Sequence, residues 1–189
     1  MPSVRKWCSK IKKHDTVVMY YSGPNPSKPS YRGSWPLIAI GKDAIPVDEV
    51  AKEVHSRKAK LSLIFIDCYD KLYHPIPLDR GVCGESLKKI TWKPFRRNLT
   101  KAWMSARGTL TMCSKKHGKT AHGVIWGGGQ FGAFTEALLL AIEEGTGSYR
   151  FKRKISEFPT MIHRRLTSHR FYQNETQCPF SQSTIREVK

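Results

Sequence analysis

Thr16-Val-Val-Met-Tyr-Tyr21 is an unbroken apolar run, rich in β-branched and aromatic residues. Half-buried strands alternate apolar with polar residues, whereas a continuous run of this length suits a strand covered on both faces, as in a parallel sheet. The run stops at Ser22-Gly-Pro-Asn-Pro-Ser-Lys-Pro-Ser30, where repeated Pro forbids regular pairing. A second run of the same kind, Leu61-Ser-Leu-Ile-Phe-Ile66, ends at Asp67-Cys68-Tyr69-Asp70. Between the two lies a short strand candidate, Trp35-Pro-Leu-Ile-Ala-Ile40, closed by Gly41. After Pro46, the residues Val47, Val50, Ala51 and Val54 recur at helical spacing, with Asp48 and Glu49 in the first turn. Strand, helix and strand in this order form a β–α–β crossover, for which a right-handed path is expected.

Outward from this core the signals weaken. Residues 1–15 look like the end of an amphipathic helix, with Trp7 and Ile11 as its apolar members. Residues 71–107 are irregular and basic and are expected to be loop. Gly108-Thr-Leu-Thr-Met112 is a weak third strand. Gly127-Gly-Gly129 leads into a clear helix lined by Phe134, Ala137, Leu138, Ala141 and Ile142 and ended by Gly145. A further helix starts near Ser156, a good N-cap, with Phe158, Met161, Ile162 and Leu166 inward. The last twenty or so residues are polar and are expected to wrap the surface. The whole reads as one α/β layer domain over 1–189.

Charge is the outstanding bulk property. Lys and Arg number 33 against 15 Asp and Glu, a formal net charge of +18. Such a field favours an acidic partner, a nucleic acid or an anionic membrane surface. It is concentrated between Lys88 and Lys119, which hold no acidic residue. Lys93, Arg96, Arg97, Lys101, Arg107, Lys115, Lys116 and Lys119 form a candidate basic patch there, interleaved with Trp92, Phe95 and Trp103. No apolar run is long enough to cross a bilayer, and Met1-Pro-Ser-Val-Arg-Lys-Trp7 lacks the apolar stretch of a secretory signal. A cytoplasmic or nuclear setting is therefore expected. Cys8, Cys68, Cys83, Cys113 and Cys178 show no C-x-x-C spacing, so buried reduced thiols are expected, with no metal site. The Gly run lacks the spacing of a phosphate-binding fingerprint, and no cofactor is expected.

The order of these motifs resembles the caspase, metacaspase and paracaspase family. The stretches that carry the likeness are Asp15-Thr-Val-Val-Met-Tyr-Tyr-Ser-Gly23, Leu63-Ile-Phe-Ile-Asp-Cys-Tyr69 and Gly128-Gly-Gln-Phe-Gly-Ala-Phe-Thr135 with the helix that follows. The resemblance implies a three-layer sandwich around a mostly parallel sheet. It also implies a general-base His directly after Ser22-Gly23, and a nucleophilic Cys two positions after Asp67. This chain has Pro24 and Tyr69 there instead. A Pro ring accepts no proton, and a phenol with a pKa near ~10 is a poor nucleophile without a base. The expectation is a non-hydrolytic, caspase-like pseudoprotease that binds or regulates an active relative.

Two alternatives stand beside it. Cys68, one residue short of the family position, is the candidate nucleophile of an active cysteine endopeptidase, although strand alternation sends it to the opposite face. His14, His55, His74, His117 and His122 are candidate bases for it, although none occupies the motif position. The basic patch offers the other alternative, a binder of nucleic acid or membrane surfaces. The resemblance places Asp67 near a substrate pocket, but with no chemistry to serve there it is expected to cap the strand end instead. The likeness also implies that the family's first strand–helix–strand is lacking here, which leaves Thr16–Tyr21 as an open edge for a caspase-like relative or a second copy.

Overall fold

The structure is a computed structural model; it describes residues 1–26, 30–69, 100, 103–118, 121, 123–126, 129–146, 155–168 and 180–187. Helix α1 (Pro2–Cys8) leads into β1 (Thr16–Pro24). A hairpin of β2 (Leu37–Ile40) and β3 (Asp43–Pro46) follows, then α2 (Val47–Ser56) and β4 (Leu61–Tyr69). The chain continues through β5 (Ala106–Cys113), a hairpin of β6 (Gly123–Trp126) and β7 (Gly129–Gly132), and α3 (Ala133–Thr146). A single 3-10 turn (Ile155–Glu157) opens α4 (Phe158–Ser168), and β8 (Phe180–Ser183) and β9 (Arg186–Glu187) end the described chain.

The central sheet runs β1-β4-β5-β8, with β9 also paired to β5. β1 pairs with β4 and β4 with β5 in parallel, whereas β8 is antiparallel to β5. This is the mostly parallel sheet expected from its apolar strands. Helices cover both faces, so the architecture is three layers. Under α3 and α4, the β4 and β5 residues Leu61, Leu63, Phe65, Leu110 and Met112 pack against Phe134, Ala137, Leu138, Ala141, Phe158, Ile162 and Leu166. Under α1 and α2, Val17, Ile64, Ile66, Cys68 and Cys113 pack against Val4, Cys8, Val47, Val50 and Val54. Each fully buried aliphatic side chain in these layers contributes about 1.5–3 kcal/mol.

Several expectations change in the structure. Helix α1 buries Val4 and Cys8, four residues apart, and leaves Trp7 42% exposed. Cys8 packs as a hydrophobe, so the buried stripe runs through Val4 and Cys8 and turns Trp7 outward. The segment after Gly41 is a second strand, β3, and the two-residue turn Gly41-Lys42 closes the hairpin with Gly41 at φ 64°. A Gly in the first turn position matches the twist of the flanking strands. Gly129 belongs to the β6–β7 hairpin, not to a plain loop. The polar tail supplies β8 and β9 at the sheet edge, where Phe-Ser-Gln-Ser needs no apolar face. The basic loop expected at 71–107 lies mostly outside the described residues. Among those described, no helix is long and apolar enough to cross a membrane.

Candidate functional site

Parallel sheets place ligands at the carboxyl ends of their strands, and both candidate positions lie there. The β1–β4 register pairs Ser22 with Asp67, Gly23 with Cys68, and Pro24 with Tyr69. The two tips are direct neighbours, so the positions the resemblance singles out do meet. Pro24 is exposed, and the side chain of Tyr69 lies outside the described residues.

The loop beyond Pro24 is tied down by polar side chains. The Tyr21 hydroxyl donates to the Pro24 carbonyl at 3.0 Å and accepts from Ala39 N–H at 3.1 Å. Asn25 Oδ1 accepts from Leu37 N–H at 3.1 Å. A Cβ at Gly23 would sit 2.7 Å from the Tyr21 hydroxyl and would push this ring away from its present position. Asn25 thus fastens the β1 tip to β2.

Alternation along β4 sends Ile64, Ile66 and Cys68 to the α1/α2 face and Phe65 and Asp67 to the α3/α4 face. Cys68 is wholly buried, with Sγ 3.5 Å from the Leu37 carbonyl oxygen. Its backbone is clamped by Ser114, whose hydroxyl accepts from Cys68 N–H at 3.0 Å and donates to the Cys68 carbonyl at 2.8 Å. Cys113 is buried nearby, and burial together with the neighbouring Cys68 pushes its thiol well above the ordinary range. Burial also raises the Cys8 thiol. Cys8, Cys68 and Cys113 are free cysteines; Cys83 and Cys178 lie outside the described residues.

Asp67 is the most unusual group at the tips. Although the resemblance places it near a substrate pocket, it is fully buried against the start of α3. Its Oδ2 accepts from the Thr135 backbone N–H at 3.1 Å and from the Thr135 hydroxyl. Because that hydroxyl's proton points at the carboxylate, the Tyr20 hydroxyl donates to Thr135 Oγ1, at 2.6 Å. Asp67 therefore caps α3 from another element, and Thr135 links the cap to β1. Oδ1 has no hydrogen-bond partner among the described residues. Burial pushes the Asp67 carboxyl up to about 6, and the bonds from Thr135 and Gly132 oppose that rise. A buried carboxyl holding a helix start is poorly placed to meet a substrate.

The candidate bases among the described residues lie in different settings. His14 is exposed and lies 3.8 Å from Asp15. His55 Nε2 is 3.5 Å from Thr111 Oγ1, and burial lowers its pKa. The His117 ring meets Tyr31 edge-on at 4.8 Å, and its backbone N–H donates to the Ser34 carbonyl at 3.0 Å. His74 and His122 lie outside the described residues.

The basic patch is only partly described. Arg107 and Lys116 are exposed. Lys115 is fully buried, so it adds no charge to a surface patch; a long aliphatic stem lets a lysine pack inside where its head is satisfied. Lys93, Arg96, Arg97, Lys101 and Lys119 lie outside the described residues. Among the described residues no cluster of His, Cys, Asp and Glu is arranged to hold a metal. Sequence reasoning missed Tyr21, Asn25, Ser114 and Thr135, because a lone hydroxyl or amide carries no pattern until its partner is known. No protein-family model matches the chain, and no curated protein is significantly similar to it.

Proposed function

We propose that the chain is a caspase-like pseudoprotease, a scaffold that acts by binding a protein partner and not by cutting one. The carrying observation is the pairing of Pro24 with Tyr69 on adjacent parallel strand tips, where the family would set base and thiol. The sealed position of Cys68 supports the same reading, since a nucleophile must reach solvent and a base. The partner is a caspase-like relative, and the surface that meets it is β1, which has a strand neighbour on one side only among the described residues and leaves Val18 41% and Tyr20 49% exposed on one face. Free buried thiols fit a reducing cytoplasmic or nuclear compartment.

Peptidase assays on fluorogenic peptides with Arg, Lys or Asp before the scissile bond test this reading. No turnover is expected. Turnover abolished by Cys68→Ala would overturn the proposal in favour of an active endopeptidase. In the same protein, Cys68 is expected to resist a mild alkylating agent until denaturant is added, as peptide mass mapping would record.

A further inference from the structure

The far side of the sheet carries a second polar arrangement, unconnected with the strand tips. Alternation along β5 sends Ala106, Leu110 and Met112 into the core beneath α3 and α4. Arg107 and Thr109 consequently leave from the opposite face. Helix α2 reaches that face at Thr111, which is buried beside His55. Past this point the described side chains are open: Arg107, Gln182, Thr184 and Arg186 are all exposed.

β9 sets Arg186 directly opposite Arg107 in an antiparallel pair, so the two side chains share a face. In the next rung the Thr109 and Thr184 hydroxyls are 2.8 Å apart, and Thr184 N–H donates to the Thr109 carbonyl at 2.9 Å. Gln182 then stands opposite Thr111. Like charges directly opposed on paired strands weaken the pairing unless an anion lies between them. Neither arginine forms an ion pair with a carboxylate among the described residues.

We propose that this ladder binds the sugar–phosphate backbone of a nucleic acid strand, with Arg107 and Arg186 as the phosphate clamp. A guanidinium fork matches phosphate oxygens two at a time. Thr184 and Gln182 add neutral donors of the kind that position a backbone without reading sequence. The ladder is entirely polar, so it has no apolar side chain to insert into a bilayer. A net charge of +18 draws a polyanion toward it. The site is independent of the pseudoprotease reading and stands or falls separately.

The test is fluorescence anisotropy with a labelled oligothymidylate over a range of salt, comparing two doubly neutralised proteins of equal charge. Arg107→Gln/Arg186→Gln is expected to weaken binding about tenfold and to make the log–log salt slope shallower by about 1.4, two phosphates' worth. Lys12→Gln/Lys13→Gln, which removes two exposed charges from the turn before β1, is expected to weaken it far less. Relief of the Arg–Arg rung should leave the Tm of the first variant equal or raised, which separates lost binding from lost folding. Equal losses in both variants would overturn the proposal, because the attraction would then be the diffuse field alone. Binding of polyglutamate or of phosphatidylserine vesicles as tight as that of the oligonucleotide, with the same dependence on the two arginines, would overturn it as well.

Discussion

At the scale of single residues, Asp67 governs a measurable property. Burial pushes its carboxyl up to about 6 in the folded chain, from 3.8 for the free group. Between these values the native state keeps a proton that the unfolded chain has released. Stability is therefore lost as pH rises through that window, by at most about 3 kcal/mol. Urea denaturation across pH 4 to 7 should show this loss relative to Asp67→Asn, whose curve lacks it. Comparison with the variant matters, since self-repulsion among the many cations acts in the opposite direction on acidification. Gly132 makes the arrangement possible: a Cβ there would overlap both Asp67 carboxylate oxygens. Gly132→Ala should destabilise the protein by about 2 kcal/mol and remove the same pH dependence. Ser114→Ala should cost about 1–3 kcal/mol, because it strips a buried N–H and a buried carbonyl of Cys68 of their shared partner.

At the scale of elements, legibility followed the strength of the apolar pattern. Phe134, Ala137, Leu138 and Ala141 on α3, and Phe158, Met161, Ile162 and Leu166 on α4, are buried as their spacing implies. The two apolar runs are β1 and β4, and both are parallel. β3 and β8 were illegible for a physical reason: one is four residues of a hairpin, the other an edge strand of polar residues. Neither needs the periodicity that a buried face imposes. The strand tips were legible as the ends of two apolar runs, but the bonds that fasten them were not, since Ser114 and Thr135 act through partners far along the chain. Gly108 shows the same limit. Its φ of 115° and the Thr184 carbonyl oxygen, 2.6 Å from where a Cβ would stand, require glycine where β5 meets the tail. Gly108→Ala should lower stability by about 2 kcal/mol, read from its urea midpoint.

At the scale of the whole molecule, the side of β1 that has no strand partner among the described residues is expected to govern solution behaviour. A nine-residue strand with no charged side chain, and with Val18 and Tyr20 exposed, is a template for another strand. Light scattering should show association that grows with salt, as screening weakens the repulsion between copies of a +18 chain. Val18→Lys should suppress that association while leaving the unfolding free energy from urea titration within about 0.5 kcal/mol, because the site is on the surface.

The position of β8 beside β5 has a kinetic consequence. Met112 is paired with Ser181 and Leu110 with Ser183, so the sheet joins partners made early and late in synthesis. A chain emerging from the ribosome can dock β1, β4 and β5 well before the segment that shields the last of them exists. During that interval β5 is itself a bare edge. Chains halted before Phe180 should therefore collect as insoluble material, and refolding from denaturant should be slow for a protein of this size, as distant pairings must close last.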